Sequence, residues 1–370
     1  MVDMMRRLEF ERHGRALMLG SLLSLGTGCG TGPAQPGAAL PDVDDCVSRR
    51  AAFDIGSGTT KVKVADVDLC DKTLDSVVLA EDTPVFYGVD VAEPHGEGFR
   101  ADTMDRGFAA LAAFKARADQ HRPEAYAAVA TAAFRRARNA PEFIARIEAE
   151  LGIPVNLIAQ SQEARLGFMG AVRAASVDPK RAVVWDVGGS SMQMTALSDD
   201  GRLVIYEGAL ASGQMREHVA HRVQGKSADT TSPNPVSDEE ASAARAYAEA
   251  YATQDVEGRL RDKLADPETV VIGIGALKYY GNRPAYQPGA TCSPHGLQVR
   301  IADLLDKSDE QIGGDYAATQ VSDRLLLVGF MRALGIEEVR LVDVDLTDGL
   351  LFESEFWPRN VASRRMRAVQ

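Results

Sequence analysis

Two short stretches of the chain carry residue types from which a phosphate site can be made. Residues 51–65, AAFDIGSGTTKVKVA, and residues 183–197, VVWDVGGSSMQMTAL, each run from an apolar strand into an aspartate, through a turn of glycines and hydroxyls, and into an alternating return. Laid one over the other, they align Phe53 with Trp185, Asp54 with Asp186, Gly56 with Gly188 and Thr59 with Ser191. Glycine suits such a turn because it tolerates positive φ and lets the backbone come close to a ligand. Amides and hydroxyls exposed there can receive phosphate oxygens, and an aspartate at each strand end can hold a divalent cation against them. One such motif is weak evidence in an α/β protein, but two in register point to a two-sided cradle. The bland alternative is a pair of structural hairpins.

Hydrolysis at such a cradle needs a group that orients or deprotonates water. Glu163 is the candidate: in NLIAQSQEARLGFMGAV, residues 156–172, the strand-like VNLI passes through a polar turn into a helix with Glu163 in its first turn. The helix dipole alone would also explain an acid there. Arg135, Arg136 and Arg138, in FRRARN, either form a solvated turn or supply the local cations a polyanion would need. The formal net charge of −12 makes the second use matter, and it argues against a broad basic face for duplex nucleic acid. His95, His218, His221 and His295 have no metal-ligand spacing and receive no role.

These residues need elements to position them. Each hairpin is followed by further strand-like runs and helices. Residues 105–119 and 141–151 have helical apolar spacing, and AYAAVATAA between them reads as a strand entering a turn. Ser237 with Glu240 forms a capping box opening an Ala-rich helix to about Leu264. The preceding GKSADTTSPNPVSDEE reads as a surface loop, and TVVIGIG and EVRLVDVDL as buried strands. Strands alternating with helices, twice over, predict two α/β domains with a cleft between them.

The ends of the chain read differently. Arg6, Arg7, Arg12 and Arg15 precede an apolar run from Ala16 to Leu25 that is too short to span a bilayer, so residues 1–29 read as an export signal. Small residues before Cys29 resemble a lipoprotein processing site, with Gly26 where a large aliphatic is usual. A disordered extension, or a start at Met4 or Met5, is the alternative. Residues 30–49 form a Gly/Pro/Ala/Asp linker and 359–370 a tail. The expected location is the periplasm or cell envelope, with a lipid anchor at Cys29. Cys46, Cys70 and Cys292 show no CxxC spacing; a Cys46–Cys70 bridge is one option that the sequence leaves undecided.

The order of FDIGSGTTKVKVADV, AVATAAFRRARNAPEFIARIEAELGIPVNLIAQSQEARLGFMGAV, VVWDVGGSSMQM, VVIGIGALKYYG and LLLVGFMRALGIEEVRLVDVDLTDGLLFE resembles the exopolyphosphatase/guanosine pentaphosphate phosphatase (Ppx/GppA) family from about Arg50 to Glu353. The EARL block around Glu163 carries most of that likeness. The resemblance implies an α/β fold of two ribonuclease-H-like domains in the actin-like/sugar-kinase manner, with residues 50–172 and 173–358 flanking a cleft. It also implies release of terminal phosphate from inorganic polyphosphate or guanosine pentaphosphate with magnesium or manganese.

Under the same resemblance, Glu163 matches a water-activating glutamate, and Asp54 and Asp186 match metal-associated aspartates. Gly56, Ser57, Gly58, Thr59, Gly188, Gly189, Ser190 and Ser191 match phosphate loops. Arg135 and Arg216 match arginines facing the phosphates, and Gly273 and Gly275 match a later glycine loop where Leu277 replaces an expected threonine. Ser190, Met192 and Gln193 stand where the family has Gly, Thr and Glu, and Gly56–Thr59 departs from the usual Gly-Ser-Asn-Ser. A neutral amide at 193 removes a charge a cation could use. The leading expectation is therefore an exported, metal-dependent exopolyphosphatase. The alternatives are a weakened or inactive envelope polyphosphate binder and, without export, a guanosine pentaphosphate phosphatase. A sugar-kinase or chaperone-type ATPase is more distant, and a homodimer is left open.

Overall fold

A computed structural model describes residues 46–92, 96–256, 258–277 and 290–358. The expected export signal, Cys29, most of the linker and the C-terminal tail lie outside the described residues. Among the described residues no helix is long and apolar enough to cross a membrane.

The first half is built on β1 (Val47–Ile55), β2 (Thr59–Asp68), β3 (Thr73–Pro84), β4 (Ala125–Ala130) and β5 (Val155–Leu157), in the order β3-β2-β1-β4-β5. β1, β2 and β3 form an antiparallel meander, while β4 and β5 run parallel to β1. In β1, Ala51 to Ile55 are all buried, as a strand covered on both faces requires. The alternating β2 and the more polar β3 lie outward toward the sheet edge.

The second half repeats the plan with β6 (Ala182–Val187), β7 (Met192–Leu197), β8 (Leu203–Gly208), β9 (Val270–Gly275) and β11 (Val339–Leu341), and the short β10 (Thr291–Cys292) extends the far edge. The order is β10-β11-β9-β6-β7-β8, so the segment β8-β7-β6-β9-β11 matches the first sheet strand for strand. β6, β7 and β8 are again antiparallel, and β9 and β11 again run parallel to β6 and to each other. The duplicated hairpin in the sequence is thus the core of a duplicated five-stranded unit.

Short helices α1 (Tyr87–Asp90) and α3 (Ala132–Arg136), with α2 (Ala101–Gln120) and α4 (Ala140–Leu151), cover one face of the first sheet. Tyr87, Phe99, Phe134 and Phe143 form an aromatic cluster there, with ring centroids 4.8 to 6.4 Å apart. In the second half α6 (Ser212–Glu217) runs into a turn of π-helix at His218–Val223, followed by α7 (Asp238–Asp255). The capping box is present: Ser237 N–H donates to Glu240 at 2.7 Å, and Glu240 N–H to the Ser237 hydroxyl at 3.3 Å.

The helix it opens does not run to Leu264. It ends at Asp255, and α8 (Gly258–Ala265) starts afresh from Gly258 at φ +49°. Ala241, Ala244, Ala248 and Ala252 make a stripe of small side chains at helical spacing, which lets the helix Gln320–Leu334 pack closely against α7.

Between the sheets lies α5 (Gln160–Ala175), buried on nearly every side. Leu166 packs with the first sheet, whereas Phe168, Ala171, Val172 and Ala175 pack with β6 and β9. The sequence assigns all of 173–358 to the second half, but residues 346–357 return to the first sheet. Leu346, Leu350, Phe352, Phe356 and Trp357 pack on β1 and β4, Arg50 donates to the Leu351 carbonyl at 2.8 Å, and Lys63 pairs with Asp348 at 2.6 Å. The physical reason is that the second face of the first sheet is apolar and α5 alone covers only part of it.

Candidate functional site

The two glycine turns close in the same way. Gly56 N–H donates to the Thr59 carbonyl at 3.0 Å, and Gly188 N–H to the Ser191 carbonyl at 2.9 Å. In the ladders, Asp54 stands opposite Lys61 and Asp186 opposite Gln193, so the two hairpins share one register. The turns come together: a Cβ on Gly189 would lie 3.3 Å from the Gly58 amide nitrogen, so a bare backbone is needed where the halves meet. Neighbouring elements hold both turns. The Ser57 hydroxyl accepts from Ala133 N–H at the start of α3, and the Gly188 and Gly189 carbonyls accept from Ser212 and Gly213 at the start of α6.

Glu163 sits at the junction. It lies in the first turn of α5, as expected, but is only 5% exposed, so a surface dipole role does not account for it. One carboxylate oxygen accepts from Arg135 at 3.0 Å and the other from the Ser191 hydroxyl at 3.2 Å, linking α3 of the first half to the turn of the second. Burial pushes the Glu163 carboxyl up, against the pull of Arg135. Arg135 also donates to the Ile158 carbonyl at 2.9 Å. It stands behind Glu163 and is not among the residues lining the cavity.

Asp54 and Asp186 complete an acidic centre. Lys61 Nζ donates to Asp54 at 2.9 Å, which gives this aspartate a resident cation. Burial first, and then the charge of Glu163, push Asp186 up to about 7. Among the described residues no cation lies within ion-pair distance of Asp186. The three acids do not make a ready cage: among the described residues, the one group of ligating atoms within 4.8 Å of one another is Cys46, Asp68 and Cys70, and its sulfurs are joined in a disulfide. The donor set nonetheless fits magnesium, which binds through one or two carboxylates, keeps several waters and takes the rest of its shell from phosphate. Asp186 would be the principal holder, with Asp54 shared against Lys61. When bound, the cation would neutralise phosphate oxygens.

A cavity of about 410 Å³ opens over these groups. Of the sequence candidates, Asp54, Gly56, Ser57, Gly58, Thr59, Glu163, Asp186, Gly188, Gly189, Ser190, Ser191, Arg216 and Gly275 line it. Gly275 adopts φ +67°, and a Cβ there would fall 2.3 Å from an Asp186 carboxylate oxygen. Gly273 does not reach the cavity. It lies within β9 between β6 and β11, where Val339 and Leu341 close over it.

Lys61, Asp345 and Tyr316 also line the cavity and were not singled out from the sequence. The alignment of Lys61 with Gln193, both opposite an aspartate, was the signal for Lys61. Tyr316, whose hydroxyl lies 2.7 Å from that of Thr59, comes from a distant loop and had none. Gln193 is 1% exposed and lies on the α5 face of its sheet beside Asp186. Among the described residues neither of its amide atoms has a hydrogen-bond partner.

Two duplicated α/β units, glycine turns facing each other and a buried glutamate between them define a two-domain α/β fold with its candidate site where the turns meet. Residues 90–206 match the Ppx/GppA phosphatase family, a span that includes Arg135, Glu163 and the second turn. A Ppx/GppA family member from Aquifex aeolicus superposes with a TM-score of 0.62 at 20% identity, covering 83% of this chain and 97% of that one. An exopolyphosphatase-like protein gives 0.67 at 19% identity, over 82% and 98%. An exopolyphosphatase from Cytophaga hutchinsonii gives 0.63 at 16%, over 83% and 97%. Residues 90–206 thus carry the match to the Ppx/GppA phosphatase family, and the described chain has the two-domain fold of those structures.

Proposed function

We propose that this protein is an exported exopolyphosphatase that removes terminal phosphate from inorganic polyphosphate with a divalent cation, magnesium or manganese. The observation that carries this reading is the position of Glu163. A buried carboxylate, held by Arg135 on one oxygen and Ser191 on the other, faces a cavity floored by two amide-rich turns. In the proposed reaction the turns hold the terminal phosphate through backbone N–H groups and the hydroxyls of Ser57, Thr59 and Ser190, while the Ser191 hydroxyl stays on Glu163. Glu163 orients water behind the phosphorus and takes its proton. Arg216 stands at the cavity wall to meet further phosphates.

Export rests on the basic and apolar composition of residues 1–29, with Cys29 as the proposed anchor point. The Cys46–Cys70 bridge, at the base of the first hairpin, supports an oxidising compartment. In that setting polyphosphate is favoured over a cytosolic guanosine pentaphosphate.

The test is phosphate release by the purified protein from long-chain polyphosphate, pyrophosphate, ATP and guanosine pentaphosphate, each with magnesium and with manganese. Polyphosphate should be the best substrate; preference for the guanosine nucleotide would overturn the substrate assignment. A second reading, a polyphosphate binder without turnover, draws on Gln193, whose neutral buried amide gives a cation beside Asp186 no charge. Binding without phosphate release in either metal, with turnover gained by Gln193→Glu, would favour it.

A further inference from the structure

Thr59 closes the first glycine turn, and its hydroxyl already has a neighbour there. The Tyr316 hydroxyl, 257 residues further along the chain, lies 2.7 Å from it. Both residues line the cavity. Tyr316 belongs to the second half. Its loop leaves the short helix Asp309–Ile312 through Gly313 and Gly314 at φ +74° and +83°, a left-handed pair that turns the chain before the helix Gln320–Leu334. The Asn234 amide braces this loop, donating to the Asp309 carboxylate at 2.7 Å and to the Ala317 carbonyl at 3.0 Å. The Ser232 hydroxyl also donates to Asp309, at 2.8 Å.

The tip of the loop meets the first half at two points of one fixed piece. The Tyr316 ring stands edge-on to Phe86, with centroids 6.0 Å apart. Phe86, 41% exposed, lies beside Val85, whose N–H donates to the Gly58 carbonyl at 3.1 Å. Gly88 N–H donates to the Ser57 carbonyl at 2.8 Å. Phe86 is thereby fastened to the first turn, so Tyr316 touches that turn through its ring and through its hydroxyl. Each hydroxyl can donate one hydrogen bond and accept others, whereas an ionised phosphate oxygen only accepts. With a phosphate between the turns, the Thr59 proton goes to the phosphate and the Tyr316 proton must go to Thr59 Oγ1. Each bond in such a chain polarises the next.

We propose that Tyr316 is a positioning residue for the phosphate cradle: its hydroxyl donates to Thr59 and aims the Thr59 proton at the bound phosphate. The proposal rests on the reading above that a phosphate lies between the two turns, and it adds a residue of the second half that acts on a binding group of the first. A phosphate held in this way is stabilised in the ground state and the transition state alike, so the effect falls on KM and not on kcat.

The experiment uses the full chain and compares wild type, Tyr316→Phe, Thr59→Val and the double variant. Tyr316→Phe keeps the ring against Phe86 and Thr59→Val keeps the shape of the side chain, so each removes one hydroxyl. Calorimetry measures binding of tripolyphosphate, and phosphate release from polyphosphate gives KM and kcat on the same samples. Tyr316→Phe should weaken tripolyphosphate binding and raise KM by about three- to tenfold, the worth of one hydrogen bond, with kcat within about twofold. Thr59→Val should cost at least as much, and adding Tyr316→Phe to it should cost nothing further, since the route through Thr59 is already cut. Unchanged affinity in Tyr316→Phe, or losses that multiply in the double variant, would overturn the relay. Binding that follows the expected pattern without phosphate release would remove the hydrolase reading and leave the relay standing. Failure of the wild type to bind tripolyphosphate would remove both.

Discussion

Replacing Glu163 with glutamine isolates the proposed base from the architecture around it. The amide keeps the shape and still offers one acceptor oxygen, so one of the two bonds, from Arg135 or from Ser191, can persist. The lost bond, one made to a charged carboxylate, costs about 1.5 to 3 kcal/mol. Against this, the fold disfavours charge at Glu163, since burial raises its carboxyl, and the neutral side chain removes that penalty. Arg135 keeps its bond to the Ile158 carbonyl. The denaturation midpoint of Glu163→Gln should therefore not fall appreciably.

Catalysis should fall by about 10²- to 10⁴-fold, the usual contribution of a positioned base and equal to roughly 3 to 5 kcal/mol of barrier. Polyphosphate should bind as tightly or more tightly, because a negative charge facing the phosphates is gone. The assay pairs initial phosphate release at saturating substrate with calorimetric binding and thermal unfolding of the same sample. Turnover within tenfold of wild type in a folded protein would refute the role given to Glu163. Loss of binding together with turnover would show that the carboxylate holds the cradle together and does not act on water.

Two further substitutions test other parts of the site and its frame. Gly275→Ala should destabilise by about 1 to 3 kcal/mol, from a left-handed φ and a Cβ directed at Asp186; it should also weaken manganese binding followed by electron paramagnetic resonance, and an unchanged urea midpoint would refute the strain argument. Removing the Cys46–Cys70 bridge by paired serine substitution should cost about 3.5 kcal/mol, the loop-closure entropy for a separation of 24 residues; an equal loss in the wild type under reducing conditions would confirm the source, and no loss in either would refute it.

The duplicated hairpin was legible because backbone turns that must approach each other leave glycine, and strands buried on both faces leave unbroken apolar runs. Residues 51–55 and 183–187 show both signs, and β1 and β6 stand at equivalent places in their sheets. The Ser237–Glu240 cap was legible for the same local reason. The end of that helix was not: apolar Leu260 and Leu264 continue a helical spacing past Val256, but the backbone is already extended at Val256 and a new helix starts at Gly258. Gly273 looked like its neighbour Gly275, because a glycine that admits Val339 and one that admits a carboxylate leave the same letter.

The sequence by itself determined the two aspartates and the two turns as one constellation, since these depend on short-range pattern and on matching registers within each half; Glu163 joined them through the family resemblance, because an acid at a helix start reads equally as a partner of the helix dipole. Only the tertiary structure decided what those groups face. It set Arg135 behind Glu163, paired Lys61 with Asp54, and put Gln193 under α5 beside Asp186, outside the residues that line the cavity. It also returned residues 346–357 to the first sheet, and brought Tyr316 of the second half to the hydroxyl of Thr59. Each of these contacts joins residues far apart in the chain, or depends on which face of a sheet or helix is covered. No local spacing records the covering element, so the charges that surround an acid appear only once the two halves are folded around α5.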